Sequence, residues 1–233
     1  MKGYVSDDGR VGYCFFPKVA CTTIKRALYE LENGVKFSRE LVGCHVHKYT
    51  SKRKVAIIDQ CERRFVVIRD PIKRFLSAYS NRVTFHNELS ENALRKFLEN
   101  NKNIKIPFYN PTLDQFIEHF DVYYKVETIF HHARPMVEFL DGENLSFFSD
   151  VYKMEDLHAF EVELCNVFGK SVSFDRTQTG GVKFTLKELS EVQVQRLLSF
   201  YQRDYELLRG FYSEEAVWDE WGKEHNKPLS QKK

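Results

Sequence analysis

The stretch Phe65-Val66-Val67-Ile68-Arg69-Asp70-Pro71-Ile72-Lys73-Arg74-Phe75-Leu76-Ser77-Ala78-Tyr79 decides the fold class. Its apolar tetrad suits a strand buried on both faces, as parallel strands in α/β proteins are. Asp70 is a preferred N-cap, and Pro71 suits the first helical position, where its missing N–H costs nothing. Phe75, Leu76 and Tyr79 then line one face of a helix. Upstream, Val11-Gly12-Tyr13-Cys14-Phe15-Phe16 is a second β-prone run that ends at Pro17, and Ile24, Leu28 and Leu31 follow at helical spacing. Two strand-loop-helix units are thus complete by residue 82.

Downstream, 84–111 is polar and reads as a surface insertion with one helix near 90–98. Thr112 caps a short helix carrying Leu113, Phe116 and Ile117, and 130–135 reads as irregular. Two β-prone runs, 145–148 and 151–154, precede a helix over 155–168. After the loop 176–183, Thr185-Leu186-Lys187-Glu188 is a capping box that predicts the longest helix, running to about 209. The polar tail 222–233 is expected to fray. This alternation predicts an α/β fold with a mostly parallel central sheet flanked by helices on both faces, which binds ligands at the carboxyl ends of its strands.

The chain has 233 residues, which predicts one domain over 1–233. Hydrophobic residues at 42% and charged residues at 29%, with 20 Phe and 12 Tyr, exclude global disorder. Net charge is +2, so nucleic acid is not an expected partner and any anion must be gripped locally. Five cysteines form no close CxxC pair, which predicts neither a disulfide framework nor a zinc knuckle and fits a reducing compartment. The start has no apolar leader and no stretch approaches a membrane span, so a cytoplasmic protein is expected.

Both strand-to-helix turns carry anion-binding chemistry. In Pro17-Lys18-Val19-Ala20-Cys21-Thr22-Thr23, helix N–H groups, the Lys18 charge and two threonine hydroxyls converge. The loop is not a Walker loop, since 13–31 holds no glycine. Arg69 offers a planar fork suited to phosphate, and Ser77 lies two turns into the next helix. Taken singly, the same residues also suit a capped turn with an exposed lysine, an ion pair for Arg69 and a solvent-facing Ser77.

Taken together, 17–25 resembles the 5′-phosphosulfate loop of membrane-type carbohydrate sulfotransferases, and 65–79 resembles their 3′-phosphate motif. The resemblance continues at 151–157 and at Tyr201-Gln202-Arg203-Asp204-Tyr205-Glu206-Leu207, spanning roughly 11–210. It implies a P-loop-like three-layer sandwich and the donor 3′-phosphoadenosine 5′-phosphosulfate, released as adenosine 3′,5′-bisphosphate. Lys18, Val19, Ala20, Cys21, Thr22 and Thr23 would surround the phosphosulfate, with Arg69 and Ser77 on the 3′-phosphate. Lys183, in a loop that relatives fold over the nucleotide, would join them; a solvent loop is the competing reading. Cys21 stands where some relatives have serine.

Sulfuryl transfer needs a base for the acceptor hydroxyl and a cation near the departing oxygen, but no metal. Lys18 is the natural cation. Gly43-Cys44-His45-Val46-His47 resembles the His-Gly-His-Val segment of glycan 2-O-sulfotransferases, which makes His45 the expected base and His47 an acceptor contact. His47 is the second choice for the base, and Glu62 and His86 are outside candidates. A pair of surface histidines, or half a metal site, is the alternative reading of His45 and His47. His131-His132-Ala133-Arg134-Pro135 resembles a His-x-Arg-Pro segment of bacterial relatives, which places His132 and Arg134 toward a saccharide, with Tyr109 available for stacking. A structural turn fits these residues equally.

The expected function is sulfuryl transfer to a saccharide hydroxyl. A nucleoside or sugar kinase, or a silent glycan- or nucleotide-binding module of the same fold, are the alternatives. Because eukaryotic relatives act in the Golgi lumen behind an anchor, that compartment is expected instead if an anchor precedes this chain.

Overall fold

The computed structural model describes residues 1–174 and 181–225. In chain order, β1 (Lys2–Val5), β2 (Val11–Cys14), α1 (Cys21–Asn33), α2 (Arg39–Val42), α3 (Val46–Arg53), β3 (Val55–Ile57) and β4 (Arg63–Ile68) come first. Then follow α4 (Pro71–Tyr79), a π-helical turn (Ser80–Phe85), α5 (Glu91–Asn100), α6 (Leu113–Glu118), α7 (Phe120–Tyr123) and α8 (Glu127–Ala133). The chain closes with β5 (Asp150–Lys153), α9 (Leu157–Phe168), α10 (Glu191–Phe200), α11 (Gln202–Leu207) and α12 (Glu214–His225). Two compact units result, one formed by Met1–Arg69 with Val137–Thr179 and the other by Asp70–Met136 with Gly180–Lys233.

The first unit holds the whole sheet, in the order β3-β1-β2-β4-β5. The predicted parallel core is β2-β4-β5, with Cys14 opposite Val66 and Val67 opposite Tyr152. An antiparallel ribbon of β1 and β3, which hydrophobic patterning did not reveal, extends it at one edge. Both strands are short: β1 is Lys2-Gly3-Tyr4-Val5, and β3, Val55-Ala56-Ile57, is apolar but exposed throughout. Gly3 permits the close approach of β1 and β2: a Cβ there would lie 2.5 Å from the Tyr13 carbonyl oxygen.

Phe65, Val66, Val67 and Ile68 are all fully buried, so both faces of β4 are covered as the apolar tetrad requires. Phe160 of α9 lies on one face against Tyr13, Phe65 and Tyr152, at ring separations of 5.4, 5.7 and 5.0 Å. In α1, Ile24, Leu28 and Leu31 are buried at the predicted spacing.

The second unit is helical around a core that includes Phe75, Leu76, Phe116, Phe120, Leu197 and Tyr201. Asp70 caps α4, accepting from Lys73 N at 2.9 Å, with Pro71 at the start as predicted. Burial pushes the Asp70 carboxyl up from its ordinary range, opposed by the Lys73 N–H and the Tyr205 hydroxyl, which donate to it.

Several expectations are corrected. The 84–111 segment is not only surface, because Leu89 and Leu94 are buried in the core. Residues 130–133 continue α8, and 145–147 form a 3-10 turn instead of a strand. The Thr185 capping box exists but caps only the 3-10 turn Leu186–Glu188. A second box, Ser190 with Gln193, starts α10, and the helical run breaks at Tyr201 before α11. The expected frayed tail is helical through His225; its remainder lies outside the described residues, as do 176–180 of the 176–183 loop. Among the described residues, no helix is long and apolar enough to cross a membrane.

Candidate functional site

Because β2 and β4 are adjacent and parallel, their carboxyl ends emerge at one edge of the sheet. The loop after β2 turns into α1 through two left-handed non-glycine residues, Lys18 at φ 67° and Ala20 at φ 45°. Such backbone costs about 1–3 kcal/mol per residue and concentrates at functional sites. Pro17 and Val19 are buried and pin the loop, whereas Lys18 is half-buried. Ala20, the N-cap of α1, offers no side-chain oxygen to the first-turn N–H groups, and that turn has no acidic residue. Such a helix end favours an anion through its N–H groups and its dipole.

Arg69 leaves the end of β4 half-buried and donates from Nη1 to the Lys18 carbonyl oxygen at 2.9 Å. The two sequence-predicted anion-binding residues, 51 positions apart, therefore meet at one sheet edge within the first unit. Glu62 stands at the amino end of β4, the opposite edge.

His45 is the N-cap of α3, with Nδ1 accepting from His47 N at 3.3 Å. The two imidazole rings lie parallel, with centroids 5.1 Å apart and 5° between planes. His47 reaches α1 with both ring nitrogens, Nε2 being 2.9 Å from Thr22 Oγ1 and Nδ1 being 3.0 Å from Lys25 Nζ. Burial, and then the charges of Arg39, Arg26 and Lys25, hold His45 below the usual histidine pKa. Burial also lowers Lys25, whose ammonium lies 4.4 Å over the Phe15 ring. Lys25 and Phe15 were not singled out from sequence, although the distance of one helical turn from Thr22 to Lys25 puts them on one face of α1.

The second unit carries the other candidates. Ser77 is half-buried on α4, while Lys183, Tyr109 and His86 are exposed. His132 Nδ1 lies 2.7 Å from the Thr128 carbonyl, and the Arg134 guanidinium lies 5.4 Å over the Phe130 ring. The Tyr201–Leu207 motif is packing hardware: Tyr201 donates to the Ala133 carbonyl, Asp204 accepts from Met136 N, and Tyr205 donates to Asp70.

A family profile described as the sulfotransferase family matches residues 3–213, which run through both units. Carbohydrate sulfotransferase 11 of Danio rerio is 32% identical over 90 residues, covering 34% of this chain and 26% of that protein. The proteins of the same name from Rattus norvegicus and Mus musculus are each 29% identical over 112 residues, covering 41% of this chain and 32% of theirs. The chain thus spans about a third or less of the length of these curated relatives. No solved structure matches.

Proposed function

Because the chain belongs to the sulfotransferase family, we propose that it moves a sulfuryl group from 3′-phosphoadenosine 5′-phosphosulfate to a saccharide hydroxyl. The observation that supports this reading is the contact of the Arg69 guanidinium with the Lys18 carbonyl, which brings the two residues read as anion-binding together. A nucleotide with phosphates on both the 3′ and 5′ positions of one ribose matches such a pair. The loop 18–23 takes the 5′ end and Arg69 the 3′-phosphate; Ser77 and Lys183 keep their donor roles, and His132 and Arg134 their acceptor roles, from the resemblance alone.

In the reaction, the acceptor oxygen bonds to sulfur as the sulfur–oxygen bond to the 5′-phosphate breaks. The Lys18 ammonium steadies the charge on the departing phosphate, and the acceptor proton passes to a base. His45 suits that task better than His47, since both His47 nitrogens are held at about 3 Å by α1 side chains. Among the described residues, His45 Nδ1 holds the longer, 3.3 Å cap bond, which is weak by distance.

Adenosine 3′,5′-bisphosphate is expected to stabilise the protein more than ADP with magnesium. At a hundredfold excess over Kd the gain is about 2.7 kcal/mol, a midpoint rise of roughly 5–10 °C in a chain of this size. Labelled sulfate should then appear on a member of a saccharide panel. Preferential stabilisation by ADP with magnesium would favour the kinase, and bisphosphate binding without transfer the silent module.

His45→Ala is expected to lower kcat by about 10²–10⁴-fold with bisphosphate affinity unchanged. Since the folded pKa of His45 is depressed, the base stays unprotonated at neutral pH, and kcat/KM should fall only as pH drops through a value under about 6.5. Near-normal turnover in His45→Ala, or a limb centred above that value, removes the assignment.

A further inference from the structure

The proton on the His47 ring is assigned from its two partners, Lys25 Nζ and Thr22 Oγ1. An ammonium group has three donors and no acceptor, and Lys25 Nζ stands 3.0 Å from His47 Nδ1, so Nδ1 is the unprotonated, accepting atom. The single ring hydrogen then sits on Nε2, 2.9 Å from Thr22 Oγ1, and is donated to that oxygen. Burial lowers the Lys25 pKa, and the Phe15 ring, 4.4 Å from Lys25 Nζ, opposes that by favouring the charged form this direction requires. A hydroxyl that accepts on one side has its own hydrogen to give on another. Thr22 belongs to the first turn of α1, just after the left-handed Lys18 and Ala20, and its side chain is held in place by burial.

We infer that His47 is a positioning residue for the nucleotide loop: the sequence of donations from Lys25 to His47 to Thr22 turns the Thr22 hydroxyl hydrogen toward the anionic 5′ end of the bound nucleotide. This rests on the reading of 18–23 as the phosphosulfate seat, and it gives His47 a place on the donor side instead of the acceptor side. His47 acts through Thr22 and takes no proton from the acceptor. In the proposed reaction the base remains His45, whose ring is stacked on that of His47.

The test is calorimetric titration with adenosine 3′,5′-bisphosphate of the whole chain and of Thr22→Val, His47→Ala, the double variant and His47→Gln. Thr22→Val and His47→Ala should each weaken binding about tenfold, the loss of one hydrogen bond to a charged group. The double variant should bind no worse than Thr22→Val alone, because the two side chains act as one unit. His47→Gln, whose amide both accepts from Lys25 and donates to Thr22, should recover most of the affinity. A His47→Ala loss that persists undiminished beside Thr22→Val, a failure of His47→Gln to recover affinity, or full affinity in His47→Ala overturns the positioning role and leaves the nucleotide site standing. Absence of bisphosphate binding by the unsubstituted chain overturns the donor reading and this inference with it.

Discussion

Arg69→Ala is expected to weaken adenosine 3′,5′-bisphosphate binding by about a hundredfold or more. A guanidinium on a phosphate makes two parallel charge-assisted hydrogen bonds, each worth about 1.5–3 kcal/mol, so roughly 3 kcal/mol, or about two decades of affinity, is a lower bound. The bond from Nη1 to the Lys18 carbonyl adds a second route to the same loss. That carbonyl belongs to a residue held at φ 67°, and without the guanidinium the strained loop loses a tether to β4. Arg69→Lys keeps the charge but not the planar fork that serves a carbonyl and a phosphate together, so it should recover only a part. Titration calorimetry at one fixed ionic strength, so that screening is the same throughout, reads both variants; an Arg69→Ala affinity within about threefold of the unsubstituted chain would sink the second anion seat, because it falls far short of two charge-assisted bonds.

The ease with which this pair was read from sequence has a physical cause. Strand β4 is buried on both faces, and α4 begins with a capping aspartate followed by proline, so pattern and cap chemistry point to one boundary and leave Arg69 at the strand end. The same holds for β2 and α1, where the apolar spacing of Ile24, Leu28 and Leu31 survives into the structure. The meeting of Lys18 with Arg69 then follows from parallel pairing of the two strands.

What escaped the sequence was decided by contacts between distant segments. Strands β1 and β3 are only 4 and 3 residues long, too short for a period to mark them, and are strands because β2 and β1 pair with them. The 145–148 run is β-prone by composition, yet Asn144 caps it as a 3-10 turn by accepting from Ser146 N. A capping box at Thr185 is real, but Leu189 returns to extended backbone and a second box at Ser190 restarts the helix. A box therefore marks a start and says nothing about length. The histidine pair was legible as residue types between the first helix and the next strand, whereas its place against α1 and the atoms it engages were not. Which of the two imidazoles touches Thr22 depends on the packing of α3 on α1, not on spacing.

Arg74→Leu is expected to be the most destabilising single change in the helical unit, at about 3–5 kcal/mol, because it strips the donor from a buried set of acceptors. Arg74 is fully buried on α4, and its guanidinium donates to the carbonyl oxygens of His132, at 3.0 Å, Ala133 and Arg134. These carbonyls lie at the carboxyl end of α8, where the helix leaves its last acceptors without intrahelical partners and its dipole favours a cation. The Tyr201 ring lies 5.7 Å from the guanidinium carbon, and its hydroxyl supplies Ala133 with a second donor. Leucine fills part of the volume and satisfies none of the acceptors. In a chain of this size the loss corresponds to a midpoint fall of roughly 6–20 °C. Tyr201→Phe removes one hydroxyl donor while Arg74 still reaches Ala133, so it should cost only about 1 kcal/mol. Urea unfolding of both variants orders the two effects. An Arg74→Leu protein within about 1 kcal/mol of the parent would mean that the end of α8 does not depend on the guanidinium. Because Arg74 caps helix carbonyls while Arg69 lies against the Lys18 carbonyl, the two arginines of one motif should separate cleanly: Arg74→Leu in unfolding free energy, Arg69→Ala in bisphosphate affinity.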